Sequence, residues 1–259
     1  MVLKVRNKST SLEVCANSLA SALAAQEGGA VRVELCENMA EGGTTPSYAQ
    51  IKLCKEKLNI EVWPIVRPRG GDFLYSEDEF ELMKTDLQIC KTLNCEGAVI
   101  GILTANGEID QKRCAELIEL AYPMPLAFHR AFDLCANMEK AIEDLIKLSF
   151  VRVLTSGGAE NALQGAETIA KLVKQAKCRI EIMPGAGINP HNILEIKEKT
   201  AAKTFHASAR IKINSKMQYR NQASKMGSME DEYQYEQTSA VLVKQIVTIL
   251  NQANEDALL

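Results

Sequence analysis

The stretch Leu126-Ala127-Phe128-His129-Arg130-Ala131-Phe132-Asp133 joins a short apolar strand to a polar loop, and Glu139–Leu148 follows it with helical spacing. A strand followed by a helix is the unit that repeats along the chain. Other short apolar or β-branched runs, with segments of helical spacing between them, occur at Leu12–Cys15, Val31–Cys36, Ile60–Arg67, Ala98–Leu103, Val151–Thr155, Arg179–Met183 and Lys203–Ser208. Such alternation indicates an α/β fold with a parallel sheet.

Eight such units in 259 residues predict a closed (β/α)₈ barrel of the TIM type, as a single domain spanning 1–259. A doubly wound sheet is the alternative, but it usually has fewer repeats and a glycine-rich first turn. Here the first turn is Ala16-Asn17-Ser18, which contains no glycine. The barrel is therefore the expected fold.

One segment interrupts the repeat. Residues 212–238, between the eighth predicted strand and the last predicted helix, form a long polar stretch rich in Lys, Gln, Ser, Asn and Tyr. A connection of this length is usually either functional or mobile. We expect a long loop that is either a lid over the mouth of the barrel or a disordered excursion.

The composition excludes several classes of protein. The chain is 46% hydrophobic and 24% charged, and its net charge of −3 leaves no basic surplus for nucleic acid. No apolar run approaches the ~18 residues of a membrane span, and the basic N-terminus lacks the apolar core of a signal sequence. The eight cysteines form no Cys-x-x-Cys pair, so we interpret them as the reduced thiols of a cytoplasmic protein.

Strand alternation predicts a charged barrel interior. Successive strand side chains face opposite sides, and apolar residues such as Val14 and Val33 face the helices. The inward set then contains three carboxylates and three guanidiniums: Glu13, Glu34, Glu181, Arg32, Arg67 and Arg152. Buried charges must be paired, so we interpret the deeper groups as a structural ion-pair network. Groups at the carboxyl ends of the strands are the better functional candidates, because barrel sites lie there.

His129 is the leading candidate for acid–base chemistry. It is predicted to point inward at the end of the fifth strand, and a histidine changes its charge near neutral pH. Glu13 or Glu34, from the first two strands, is its expected partner. Arg130 is a candidate for ligand binding, and Asp133 would orient the histidine or Arg130. Alternatively, Arg130 and Asp133 would together brace the loop.

Strand alternation predicts that His206 and Ser208, at the end of the eighth predicted strand, point into the barrel. His206 is a second candidate for proton transfer, facing His129 across the mouth of the barrel. A buried histidine with satisfied hydrogen bonds is an equally good interpretation of the same position. Ser208 is a candidate for ligand binding.

Two arginines and two glycine loops predict an anion site. Arg67 and Arg69 stand on either side of Pro68, and arginine forks bind carboxylate or phosphate. Glycine loops that open helices bind anions through backbone N–H groups. Such loops follow the sixth and seventh predicted strands, with Ser156, Gly157, Gly158, Gly185 and Gly187. There are two competing explanations. The glycines would be needed only for tight turns, and the arginines would pair with Asp72 or Glu34.

Cys15 and Cys36 are the candidate metal ligands. They end adjacent predicted strands with the same inward parity, so their sulfurs can approach each other at the mouth of the barrel. Two thiolates suit Cu(I), which is a soft ion. The competing interpretation is that both are small buried apolar side chains, as most free cysteines are. No organic cofactor is indicated.

Several motifs of the chain resemble those of the CutC family. These motifs are Glu13-Val14-Cys15, Glu34-Leu35-Cys36, Arg67-Pro68-Arg69-Gly70-Gly71-Asp72-Phe73, Phe128-His129-Arg130-Ala131-Phe132-Asp133, Arg152-Val153-Leu154-Thr155-Ser156-Gly157-Gly158 and Met183-Pro184-Gly185-Ala186-Gly187-Ile188. The resemblance runs from about Ser11 to Arg210. It implies a TIM-type barrel, a cytoplasmic location, a homo-oligomer (a dimer or tetramer), and a role in copper homeostasis with copper binding.

Two hypotheses of different classes remain. The first is a cytoplasmic copper homeostasis protein that binds Cu(I) through Cys15 and Cys36. The second is a barrel enzyme that acts on a small anionic metabolite, a phosphate or a carboxylate, with the arginines holding the anion and His129 transferring protons. Whether the chain is an enzyme stays open. Neither hypothesis includes a nucleic acid or a membrane as partner.

Overall fold

Eight parallel strands form the barrel in the computed structural model, which describes residues 10–221, 223–224 and 231–255. They are β1 (Ser11–Ala16), β2 (Arg32–Leu35), β3 (Glu61–Pro64), β4 (Ala98–Ile100), β5 (Leu126–Phe128), β6 (Arg152–Thr155), β7 (Glu181–Pro184) and β8 (Thr204–Ala207). Backbone ladders join β8, β1, β2 and β3 in that order, and β4 to β7 in sequence. A parallel bridge from Ile65 to Val99 joins β3 to β4. Between β8 and β7, Thr204 Oγ1 donates to Glu181 Oε1 at 2.7 Å.

Helices follow the strands and cover the outside of the barrel. They are α1 (Leu19–Glu27), α2 (Tyr48–Lys57), α3 (Glu77–Thr92), α4 (Gln111–Ala121), α5 (Met138–Lys147), α6 (Ala166–Ala176), α7 (Ile193–Thr200) and α8 (Ala240–Glu255). Ser76 and Glu79 form a capping box at the start of α3, and the Asn137 side chain accepts from Lys140 N at the start of α5. The (β/α)₈ barrel predicted from the repeat is confirmed.

The two faces of the strands have different surroundings. Outward side chains such as Val14, Val33 and Phe205 are fully buried in the apolar layer between the barrel and the helices. Burying one such side chain contributes roughly 1.5–3 kcal/mol, so this layer holds the helices on the barrel. Inward apolar residues form a second, smaller cluster: Cys15, Cys36, Trp63, Ile65, Val99 and Ala127.

The floor of the barrel interior is an ion-pair network centred on Glu13. Its carboxylate contacts Arg32 and lies 3.4 Å from Arg152 Nη2. The two arginines are also paired at the rim of the network, Arg32 with Glu61 at 3.1 Å and Arg152 with Glu181 at 3.5 Å. This is the structural pairing expected for buried charges of opposite sign.

The segment 212–238 is not a loop throughout. Its described ends belong to two antiparallel strands, β9 (Arg210–Asn214) and β10 (Gln234–Thr238). Thr238 N donates to Ser21 Oγ at 3.1 Å, which attaches the hairpin to α1. Residues 222 and 225–230, on which the choice between a lid and a disordered excursion depends, lie outside the described residues. Among the helices of the described part, none combines the length and apolarity that a membrane crossing requires.

Candidate functional site

A cavity of about 330 Å³ lies at the carboxyl ends of the barrel strands. Half of the predicted site residues line it: Cys15, Glu34, Arg67, His129, Arg130, Gly187, His206 and Ser208. These residues come from β1, β2 and β8 or from the loops that follow the strands. The alternation of strand side chains therefore brings residues that are distant in sequence into one pocket, where sites of such barrels are found.

Three sulfur atoms meet at one wall of this cavity. Cys15 Sγ and Cys36 Sγ are 3.2 Å apart. The Met39 Sδ lies 3.1 Å from Cys36 Sγ and 3.8 Å from Cys15 Sγ. Both thiols are buried and neither is in a disulfide. The predicted approach of the two cysteines is what the structure shows.

The local chain path explains why the sulfurs converge. Cys15 lies on β1, and Cys36 directly follows β2, where its N–H donates to Ala16 O at 3.0 Å and extends the pairing of the two strands. Asn38 then takes a left-handed conformation (φ 52°) and starts a short 3₁₀ helix, Met39–Glu41. This turn brings the Met39 side chain back over the two thiols.

Contact with the second thiol and burial both raise the pKa of Cys15 well above its ordinary value. The hydrogen bond with Cys36 is the larger cause, and burial is the next. Cys15 is therefore a thiol at neutral pH when no metal is bound, and a metal ion has to displace its proton in order to bind.

His206 connects the sulfur wall to the ion-pair network. Its Nδ1 lies 2.9 Å from Glu13 Oε1, and its Nε2 lies 3.4 Å from Glu34 Oε2. Burial by itself would lower the pKa of His206. The charge of Glu34, a hydrogen bond with Cys15 and the Glu13 carboxylate together outweigh burial and raise this pKa well above the ordinary value. Burial also raises the pKa of the Glu34 carboxyl, and this effect is larger than the lowering caused by the positive charge of His206. The imidazolium is thus the stable form in this pocket.

Cys15, Glu34 and His206 place three potential ligand atoms within 4.8 Å of one another. Both nitrogens of His206 face carboxylates, however, and a protonated imidazole has no lone pair to give to a metal. The sulfur atoms are the donors that remain available. The sequence interpretation identified two of them and missed Met39, for which the only signal was the spacing Cys36-Glu37-Asn38-Met39.

The expected pairing of His129 with Glu13 or Glu34 is not found, because those carboxylates contact His206. His129 packs on Gly101 and 4.9 Å from the Phe73 ring, and its Nδ1 accepts from Ala131 N at 3.1 Å. Burial, followed by the positive charge of Arg67, lowers the pKa of His129 to about 3. The ring is neutral at neutral pH.

This shift predicts a pH-dependent stability. Between about pH 3 and the unfolded value near 6.5, the unfolded chain binds the His129 proton and the folded chain does not. The stabilisation is therefore complete above pH 6.5 and falls with decreasing pH, by up to about 1.4 kcal/mol per unit. In His129→Asn, whose amide oxygen can still accept from Ala131 N, urea unfolding should depend less steeply on pH between 4 and 6.5. Equal slopes in the two proteins would disprove the assignment.

Arg67 and Arg69 differ in their surroundings. Arg67 is buried, and it donates to three backbone carbonyls, those of Glu41, Gly43 and Gly71, at 2.7–2.8 Å. Arg69 does not line the cavity. Its guanidinium pairs with Asp72 at 3.0 Å and with Glu79 at 2.6 Å, so the competing explanation, structural pairing, holds for Arg69.

The protein itself occupies the anion site predicted at the Ser156-Gly157-Gly158 loop. Asp133 accepts from Ser156 N at 3.0 Å and from Gly158 N at 3.2 Å, while Gly157 N donates to Thr155 Oγ1 at 2.9 Å. Arg130 Nε donates to the same carboxylate at 2.8 Å. Asp133 therefore braces this loop and is not next to His129, and the loop has no free N–H group for a ligand.

The second glycine loop also has a structural explanation. Gly185 N donates to Thr155 O at 2.9 Å, and a Cβ on Gly185 would lie 2.5 Å from Leu154 Cδ1 and 3.3 Å from His206 Cβ. Glycine is thus required where β7 closely approaches its neighbours. Gly187, with φ of +72°, lines the cavity, as does Ser208.

Comparison with known proteins places this geometry in a family. A CutC protein of Streptococcus agalactiae has a crystal structure similar to this one, with a TM-score of 0.74 and 36% identity over 77% of this chain and 98% of that one. A phosphoribosyl anthranilate isomerase of Thermotoga maritima has a TM-score of 0.58 at 12% identity, over 94% of this chain and 99% of that one. This second likeness concerns the barrel fold alone.

Sequence relatives agree with the structural match. A CutC family protein of Chromobacterium violaceum is 49% identical, covering 93% of this chain and 98% of its own. The human relative, named copper homeostasis protein cutC homolog, is 46% identical over 84% of this chain and 80% of its own. The model of the CutC family matches residues 10–211. The chain belongs to the CutC family.

Proposed function

We propose that this protein binds Cu(I) as its cargo at Cys15, Cys36 and Met39, and that it does so in copper homeostasis. The observation that supports the proposal is the meeting of two thiols and a thioether at one wall of the cavity. Thiolates and thioethers are the donors that favour Cu(I) over harder ions. The human relative carries copper homeostasis in its name.

The donor set fits Cu(I) better than Zn²⁺. Structural zinc sites are almost always tetrahedral, with four Cys, His or carboxylate ligands. Glu34 and His206 could complete such a set only if their mutual contact broke and His206 lost its proton. Three sulfurs suffice for Cu(I) and leave the contact between Glu34 and His206 intact.

The number of sulfur neighbours tests this proposal. X-ray absorption of the protein loaded with one Cu(I) under anaerobic conditions should show three sulfur scatterers, and Met39→Leu should show two. Met39→Leu should also bind Cu(I) about ten-fold more weakly. This is the lower end of the roughly 10–100-fold loss of metal affinity that follows the removal of residues supporting a metal site. Met217→Leu, an exposed methionine outside the cavity, is the matched control. Nitrogen or oxygen scatterers in place of sulfur would reject the proposal.

A second candidate function is a barrel enzyme that acts on a small anionic metabolite by acid–base chemistry. The observation in its favour is the position of His206 between two carboxylates in the cavity wall, where it can hold and release a proton. In this version His206 takes the role that the sequence interpretation gave to His129. From the family resemblance we also propose a cytoplasmic location and a homo-oligomer.

A further inference from the structure

Arg67 is a buried cation without a carboxylate partner among the described residues. Its residue is 5% exposed, and the acceptors of its guanidinium are neutral backbone carbonyls. The Tyr75 hydroxyl also interacts with this guanidinium by a side-chain hydrogen bond, but it provides no negative charge, because burial raises the pKa of that phenol to about 12. Buried charges normally have a partner of opposite sign. Within the part of the chain that the structure describes, the charge of Arg67 therefore has no counter-ion.

The other two arginines that line the cavity differ from Arg67 in this respect. Arg130 pairs with Asp133 at 2.8 Å, and Arg210 pairs with Glu236. Their charges are thus compensated within the protein. The uncompensated positive charge of the cavity wall is concentrated at Arg67, which makes the cavity attractive to an anion.

Three buried N–H groups of cavity-lining side chains have no acceptor in the described structure, and one of them, Arg210 Nε, belongs to a guanidinium whose charge is already compensated. The other two are Arg67 Nε and His129 Nε2. Because His129 Nδ1 accepts from Ala131 N, the proton of the neutral ring is on Nε2. The Phe73 ring packs on both groups, 4.9 Å from the guanidinium carbon and 4.9 Å from the imidazole centroid. Buried donors without an acceptor are rare and call for an explanation such as a missing ligand.

We propose that the cavity binds the oxyanion of a small molecule, a carboxylate or a phosphate, with Arg67 and His129 as its donors. An oxyanion supplies the missing charge and accepts from the unpartnered N–H groups of Arg67 and His129. Phe73, which is half-buried and packs on both groups, lines the same cavity. The volume of about 330 Å³ fits one small metabolite. This inference deepens the second candidate function, and it is independent of copper.

The test uses the metal-free protein with ¹⁵N-labelled arginine. Inorganic phosphate and succinate serve as probes, and neutral succinamide controls for binding without charge. We expect a saturable shift of the Arg67 Nε–H signal with phosphate, with succinate or with both, and the responding probe identifies the class of oxyanion. Succinamide should give no shift. The absence of a saturable shift with either anion, or an equal shift with succinamide, would overturn the proposal.

Variants provide a second measurement. By calorimetry, Arg67→Met should bind the responding anion roughly ten-fold more weakly or worse, as expected for the loss of a charged hydrogen bond. Arg69→Met, the neighbouring arginine outside the cavity, should bind it like the wild type. If Arg67→Met does not fold, His129→Asn replaces it, with weaker binding expected. Equal binding by wild type and variant would refute the site, whereas retained binding in Cys15→Ser/Cys36→Ser would show that the site functions without copper ligands.

Discussion

Replacing both Cys15 and Cys36 with serine is expected to lower the affinity for Cu(I) by at least about a hundred-fold, since loss of residues that merely support a metal site costs 10–100-fold. The hydroxyl of serine is a hard, neutral donor, whereas Cu(I) selects soft sulfur ligands. Met39 alone would then remain of the three sulfurs. Anaerobic titration against a chromogenic Cu(I) chelator measures the loss.

A matched control separates this site from the other cysteines of the chain. Cys135→Ser/Cys178→Ser replaces one half-buried and one exposed thiol that do not line the cavity. This pair of substitutions should leave the affinity for Cu(I) at the wild-type value. If both double variants lost affinity equally, the binding would be nonspecific thiol chemistry and not a property of the barrel mouth.

Glu13→Gln is expected to destabilise the fold by about 3–5 kcal/mol, the cost of removing one partner from a buried charge network. The Glu13 residue is 1% exposed, and its carboxylate contacts the cations of Arg32, Arg152 and His206. A neutral amide leaves these three buried cations with one counter-charge fewer. Urea unfolding at neutral pH measures the change in the free energy of unfolding.

The control for this prediction is a carboxylate that pairs at the surface. Glu236 forms an exposed ion pair with Arg210 at the start of the β9–β10 hairpin. Exposed pairs contribute at most about 1 kcal/mol, so Glu236→Gln should lie within that range. A Glu13→Gln variant as stable as the Glu236→Gln variant would show that the interior network is hydrated or otherwise compensated.

Much of the fold could be predicted from the sequence because the repeat and the strand alternation have simple physical causes. The alternation correctly placed Glu13 and Arg32 inside and Val14 and Val33 against the helices. The hairpin β9–β10 was missed because only one of its strands carries a strand signal. Ile211 and Ile213 alternate with polar residues on β9, whereas β10 is polar apart from Tyr235, and both strands are partly exposed.

The candidate site was only partly predictable. The approach of Cys15 to Cys36 followed from their shared parity on adjacent strands, and the structure shows it. Met39 was not predicted, because its contribution depends on a left-handed turn at Asn38 that propensities do not reveal.

The roles of the two histidines illustrate a second limit of sequence reasoning. His129 follows a strand in a conspicuous motif, yet its ring is neutral and buried beside Arg67. His206 lies between Glu13 and Glu34 because β8 pairs with β1, which pairs with β2. The alternation of side chains along a strand predicted which side chains point into the barrel. Their interaction partners, however, depend on which strands are neighbours and on the depth of each residue in the barrel. The prediction of an external anion at the Ser156-Gly157-Gly158 loop was wrong for a similar reason. The anion that the backbone N–H groups of this loop bind is the carboxylate of Asp133.

The most direct test of the central claim is the anaerobic competition titration of the wild-type protein with Cu(I). The three sulfurs at the barrel mouth predict that each chain takes one Cu(I) from the chelator, and that Cys15→Ser/Cys36→Ser takes none under the same conditions. A wild-type protein that leaves all the copper on the chelator, or a double variant that competes as well as the wild type, would contradict the assignment of this site to Cu(I).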